Sequence, residues 1–111
     1  MLFEEYLEPI QVWRLVSSGY LSDPTWTLIT TVSGRFEPMK AGEESAGNQN
    51  FANVTEILFT PYQYRNVFQP QDGIVDSDGI QRRIVGQPEL WKYMMPHVVC
   101  MLERAQWTTV S

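Results

Sequence analysis

The sequence predicts an all-β fold, a small barrel or sandwich of five to six short strands with one long inter-strand loop, and three observations predict it. Runs rich in Val, Ile, Thr and aromatic residues recur along the 111-residue chain. Clusters of Gly, Pro, Asp and Ser punctuate those runs. No stretch carries a convincing amphipathic-helix period. The length fits one hydrophobic core and therefore a single domain over residues 1–111.

The first run, Ile10 to Val16, is dense in apolar and β-branched residues and ends at Ser17-Ser18-Gly19, so it reads as a strand. After a turn over Gly19 to Pro24, Trp26, Leu28, Thr30 and Val32 alternate with Thr27, Ile29 and Thr31. This is a long strand reaching about Phe36, and its alternation places Trp26 in the core. Met39 to Asn53 breaks the pattern: its fifteen residues include two Gly, three Asn, one Gln and two Glu, with no period. Val54 to Thr60 alternates again and is stopped by Pro61. Asp72-Gly73-Ile74-Val75-Asp76-Ser77-Asp78-Gly79-Ile80 followed by Arg82 to Val85 is a hairpin signature. The last run, His97 to Arg104, follows Pro96, and its Val98-Val99 pair favours strand over helix.

Hydrophobic residues make up 43% of the chain, with four Trp, five Tyr and five Phe, enough to fill a core and furnish an interface. The formal charge of −5 and the lack of a basic cluster speak against tight nucleic-acid binding. Cys100 is the only cysteine, which excludes an intramolecular disulfide and a Cys/His zinc site and fits a reducing compartment. The acidic start Met1-Leu2-Phe3-Glu4-Glu5-Tyr6 lacks the features of a secretory signal, and no apolar run is long enough to span a bilayer. Neither export nor membrane insertion is expected, so the Asn53-Val54-Thr55 sequon has nothing to act on it.

Candidate catalytic groups are few. His97 and Cys100 could pair as base and nucleophile, but residues three apart on a strand face opposite ways, and no orienting partner follows. Asp72, Asp76 and Asp78 crowd the hairpin, yet Ile74 breaks the alternation a calcium loop needs, and turn-forming Asp explains them. Gly42 and Gly47 are not followed by the Lys-Ser/Thr of a phosphate cradle. Glu43-Glu44 are neighbours in one polar segment and cannot hold the carboxylate separation of a glycosidase. The expectation is a non-enzymatic chain without cofactor or metal.

In order, Val32-Ser33-Gly34-Arg35-Phe36-Glu37-Pro38, the polar segment, Ile57-Leu58-Phe59-Thr60-Pro61-Tyr62, Asp72-Gly73-Ile74-Val75, Arg82-Arg83-Ile84-Val85-Gly86-Gln87-Pro88, Trp91 and Pro96-His97 resemble the head-closure, or head-tail joining (stopper), family of tailed bacteriophages. The resemblance spans roughly Val12 to Glu103. It implies a β-barrel subunit of a virion, assembled in the host bacterial cytoplasm and forming a homo-oligomeric ring of six or twelve copies in the neck. A portal or adaptor ring would lie above it and a tail terminator or tail-tube protein below, with double-stranded DNA passing through without tight binding. The family's long loop projects into the channel and can close it. The corresponding residues are Lys40, Gly42, Glu43, Glu44, Gly47, Asn48, Gln49, Asn50 and Phe51.

Elementary geometry allows this role: six bodies about 30 Å across leave a central hole of about 30 Å. A fifteen-residue loop folded back on itself extends roughly 25 Å, more than the radius of that hole. An acidic conduit also avoids the counterion-releasing contacts that would make DNA stick. Trp13, Trp91 and Trp107 are the candidate interface anchors, with Trp107 expected at an interface or exposed near the carboxyl terminus. The alternative reading is a monomeric β-barrel adaptor, or another neck or tail-completion protein, without a gating role.

Overall fold

The β-branched runs become strands of one sheet. A computed structural model describes residues 7–17, 19, 23–38, 54–92 and 95–107. Its strands are β1 (Glu8–Val16), β2 (Thr25–Pro38), β3 (Glu56–Pro61), β4 (Gly73–Val75), β5 (Gln81–Trp91) and β6 (His97–Arg104), with a 3-10 turn at Tyr62–Tyr64 among the described residues. They close into a barrel in the order β1-β2-β3-β6-β5-β4, every neighbour antiparallel. Closure is made where Gln11, Val12 and Trp13 of β1 pair with Val75, Ile74 and Gly73 of β4. A closed barrel leaves no sheet edge open for non-specific pairing.

Alternation fills the interior. Ile10, Val12, Val32, Leu58, Phe68, Ile74, Ile84, Val98, Cys100 and Leu102 form one buried cluster. Gly34 is the close-approach point within it: a Cβ there would stand 2.6 Å from Ile10 Cδ1 and 2.9 Å from both Leu58 Cδ1 and Thr60 Cγ2. Only a bare backbone lets β2 pass so near these side chains.

β1 begins at Glu8 rather than Ile10, β3 runs from Glu56 to Pro61 rather than from Val54 to Thr60, and two more strands run past their sequence pattern. β2 continues to Pro38 rather than ending near Phe36. β5 continues to Trp91 rather than stopping at Val85, because a bulge between Val85 and Glu89 absorbs Gly86-Gln87-Pro88. Gly86 carries φ 73° there, a conformation that suits glycine.

Because all neighbours are antiparallel, the strand ends sort into two mouths. One holds the start of β1, the β2–β3 connection, the β4–β5 turn and the end of β6. The other holds the β1–β2 and β5–β6 hairpins and the β3–β4 crossover, which spans the barrel between strands three places apart in the ring. Phe68 of that crossover is buried, Tyr64 and Val67 pack against the core, and together they stopper this mouth from inside.

The crossover is tied down by charge. Arg14 donates through Nε to Asp72 Oδ1 at 2.9 Å and through Nη2 to Asp72 Oδ2 and the Val67 carbonyl, both at 2.8 Å. Asp72 is 2% exposed and also accepts the Gln69 backbone N–H at 3.0 Å. The bidentate hydrogen bonds to Asp72 raise the Arg14 pKa further above its ordinary value, against the opposing effect of burial. Asp72 thus positions a loop rather than a metal.

Candidate interaction surfaces

At the first mouth the inward alternation of β5 brings a guanidinium where the core would end. Arg82, one position before the buried Ile84 in the inward row, is 4% exposed. It donates to Glu56 Oε1 at 2.7 Å and Oε2 at 2.9 Å, and to Asp76 Oδ2 at 2.9 Å. Its guanidinium carbon lies 4.1 Å from the centre of the Phe36 ring. Arg104 adds a bond to Glu56 at 3.2 Å. Burial alone would raise the pKa of Glu56 and Asp76 and lower that of Arg82. The hydrogen bonds and charges between them win, so both carboxyls lie below their ordinary values and the guanidinium above.

The acidic hairpin turn is accounted for group by group. Asp76 accepts the backbone N–H of Asp78 at 2.9 Å and of Ile80 at 3.0 Å, holding the turn in which Gly79 has φ 85°. Among the described residues no group of three or more His, Cys, Asp and Glu side chains is placed to hold a metal.

His97 and Cys100 do not meet as a catalytic pair. Cys100 is fully buried in the core cluster, and burial, with a smaller contribution from the Asp72 charge, pushes its thiol up to about 12. The His97 ring is on the outer side, stacked on Trp91 with centroids 5.8 Å apart and planes 4° apart. Its Nδ1 lies 2.7 Å from the Met95 carbonyl.

Three tryptophans gather on the outside of β1, β2 and β4. Trp13 pairs across the sheet with Leu28 on one side and Gly73 on the other. Trp26 is half-buried and stacks on Trp107 with centroids 4.6 Å apart. This corrects the core placement of Trp26: β2 slips register between Val12 and Trp13, and the extra residue puts Leu28 and Trp26 in phase with outward Trp13 and Leu15. Trp107 is half-buried as well, used within the chain. It lies over Gly73, and its backbone exchanges bonds with the Gln81 side chain at 3.0 and 3.2 Å. Trp91, by contrast, is 52% exposed. The channel-loop candidates Lys40, Gly42, Glu43, Glu44, Gly47, Asn48, Gln49, Asn50 and Phe51 lie outside the described residues.

Two apolar walls follow from these placements. The first comprises β4, β1 and β2, where Leu15 and Leu28 are exposed beside Trp13 and the next outward pair is Gln11 with Thr31. The second comprises β3, β6 and β5, where the cross-strand rows Ile57–Met101–Val85, Phe59–Val99–Glu89 and Pro61–His97–Trp91 face outward, Glu89 being the one charged position among them. Sequence reasoning missed this second wall. Its signal was that β3 is apolar on both alternating sets, Leu58 on one side and Ile57 with Phe59 on the other.

No family model matches the chain, and no curated protein matches it. Among solved structures, the solution structure of protein SF1141 from Shigella flexneri 2a is similar to it, with a TM-score of 0.70 and 18% identity over 87% of this chain and 89% of that one. At that identity the likeness establishes the barrel fold.

Proposed function

We propose that this protein is a head-closure subunit of a tailed-phage neck, joining a portal or adaptor ring to the tail and gating the DNA channel. The observation that carries the reading is the coincidence of the resembling segments with the barrel's elements. Val32 to Pro38 ends β2, Ile57 to Pro61 lies in β3, Gly73 to Val75 is β4, Arg82 to Pro88 lies in β5, and His97 opens β6. The non-periodic Met39–Asn53 segment falls in the β2–β3 connection, where the family carries its channel loop. A barrel stoppered at one mouth by Phe68 and braced at the other by Arg82 is a rigid body suited to carrying such a segment. The formal charge of −5 favours passage of a polyanion over its retention.

Deleting residues 41–51 tests the gating role. The variant is expected to keep its circular-dichroism spectrum and still join heads to tails, while filled heads lose DNA. Filled heads that retain DNA as well as wild type would remove gating from the proposal. Particles whose necks lack the protein, by antibody labelling in electron micrographs, would remove the neck assignment altogether.

A further inference from the structure

We infer that the free edge of β2 is a strand-addition site: over Thr25–Val32 it takes an extended, cationic segment of another polypeptide as one more strand of the sheet. The inference rests on the barrel alone and stands apart from the neck assignment.

Closure protects a strand edge only along the length over which neighbours overlap. β2 pairs with β1 from Thr25 to Gly34 but with β3 only from Arg35 to Pro38. Its 14 residues at about 3.3 Å each span about 46 Å, matching the 44 Å length of the described body, so the β1–β2 hairpin runs on past β3 as a two-stranded arm. Along that arm the side of β2 turned away from β1 meets no backbone partner among the described residues. Alternate residues of an antiparallel pair direct both N–H and C=O away from the partner strand, so about half of the residues from Thr25 to Val32 offer a donor and an acceptor to this side. Thr25, Thr27, Leu28, Ile29 and Thr31 are exposed, which leaves it open to approach. The Thr27 hydroxyl reaches the Thr25 carbonyl at 3.4 Å, too long a bond to compete with the N–H of an added strand.

The other overhanging edges are guarded. The short β4 leaves β1 and β5 uncovered beyond Gly73, and the crossover fills that gap. The Gln71 N–H donates to the Ile84 carbonyl at 3.1 Å, the Ile84 N–H donates to the Asp72 carbonyl at 2.9 Å, and Arg14 holds the Val67 carbonyl. Further along β5, Pro88 lacks an N–H and Glu89 adds a charge, both of which discourage pairing. From Thr25 to Ser33, β2 has no charge, proline or glycine and consists of Thr, Trp, Leu, Ile, Val and Ser, most of them strand formers. A bare edge of that length and composition is a template for another strand.

Charge and side-chain phase select the occupant. Over residues 10–16 and 23–33 the charged groups are Arg14, committed to Asp72, and the exposed Asp23. A second copy would bring its own net charge of −5 to a chain of −5, whereas a segment with Lys or Arg at its ends is attracted. On the outward side an added strand lies beside Leu28, since Trp26 is engaged with Trp107; on the other it meets Thr25 and Thr27. The segment that fits therefore alternates apolar residues with Thr, Ser or Val over about eight positions, between basic ends.

The probe is a synthetic peptide of about eight alternating Val and Thr residues between Lys-Lys ends, added in millimolar excess to the isotope-labelled full chain. Amide hydrogen exchange is followed by NMR. In the free protein, amides from Thr25 to Val32 are expected to alternate between slow exchange, where they bond β1, and fast exchange on the free edge, with one break at Ile29, the extra residue of the register slip. The peptide is expected to slow the fast set by about tenfold or more and to leave the slow set unchanged. The same peptide N-methylated at every central amide is expected to slow none of them, because it has no N–H to donate and its methyl groups hold it off the edge. Uniformly slow exchange in the dilute free protein, no slowing by the Lys-ended peptide, or equal slowing by the N-methylated one overturns the inference. Fast amides that slow when the protein alone is concentrated would give the edge to a second copy and overturn the assignment to another polypeptide. Equal slowing by a Glu-Glu-ended peptide would overturn the cationic choice. The neck assignment is decided separately, by antibody labelling of particles.

Discussion

Gly73 is covered by an indole: a Cβ built there would stand 2.6 and 2.7 Å from two carbons of the Trp107 ring and 3.1 Å from Trp26. The contact explains why the β4 side of the hairpin carries glycine, since the side-chain position is filled by a residue 34 places later. Gly73→Ala is expected to push the Trp107 ring off the sheet and uncouple it from Trp26. The stacked pair should lose its exciton signal in circular dichroism, and the cost should be about 1–3 kcal/mol, as for other overpacked sites. In a Trp107→Ala background the clash is absent, so the same glycine change should cost almost nothing. An equal cost in both backgrounds would assign Gly73 to the backbone instead.

Among elements, the run-and-punctuation pattern located each strand and the hairpin turn, because a strand one side-chain deep announces itself by alternation over a few residues. Contacts made between distant segments were not legible. Trp26 was phased by counting straight through β2, and the register slip beside Trp13 reverses that count only when β1 is laid alongside. The length of β5 was hidden by Gly86-Gln87-Pro88, which reads locally as a turn and is absorbed as a bulge against β6. Arg82 shows why polar positions are hardest: only its alternation with Ile84 marks it as inward, and its partners come from β3 and the β4–β5 turn. Removing it tests that joint role. Arg82→Met is expected to cost about 3–5 kcal/mol, because Asp76 would lose its cation and Glu56 would keep only the exposed Arg104. For a domain of this length that corresponds to a fall in Tm of more than about 10 °C. Adding Glu56→Gln and Asp76→Asn should return much of the loss, which a purely steric role of Arg82 would not allow.

For the whole molecule, acid sensitivity should be concentrated at one end of the barrel. Glu56 and Asp76 have folded-state pKa values below their ordinary 4.5 and 3.8. In the unfolded chain these groups take up protons first as pH falls, so the stability they contribute is fully present above the ordinary values. It is lost as pH drops through the depressed folded ones. Tm is therefore expected to be level around neutral pH and to fall once pH passes below the ordinary carboxylate range. The Glu56→Gln/Asp76→Asn variant is expected to start from a lower Tm at neutral pH and to lose less of it on acidification. Because the sequence isoelectric point is about 4.7, the comparison belongs at low protein concentration, where loss of net charge does not drive association. If both proteins lost Tm in parallel, the acid response would belong to the carboxylates along the sheet as a whole, and the mouth network would be a brace without a titrating role. If the wild-type curve alone bends, protonation acts where β3, β5 and the β4–β5 turn are joined, at the mouth from which the Met39–Asn53 connection departs.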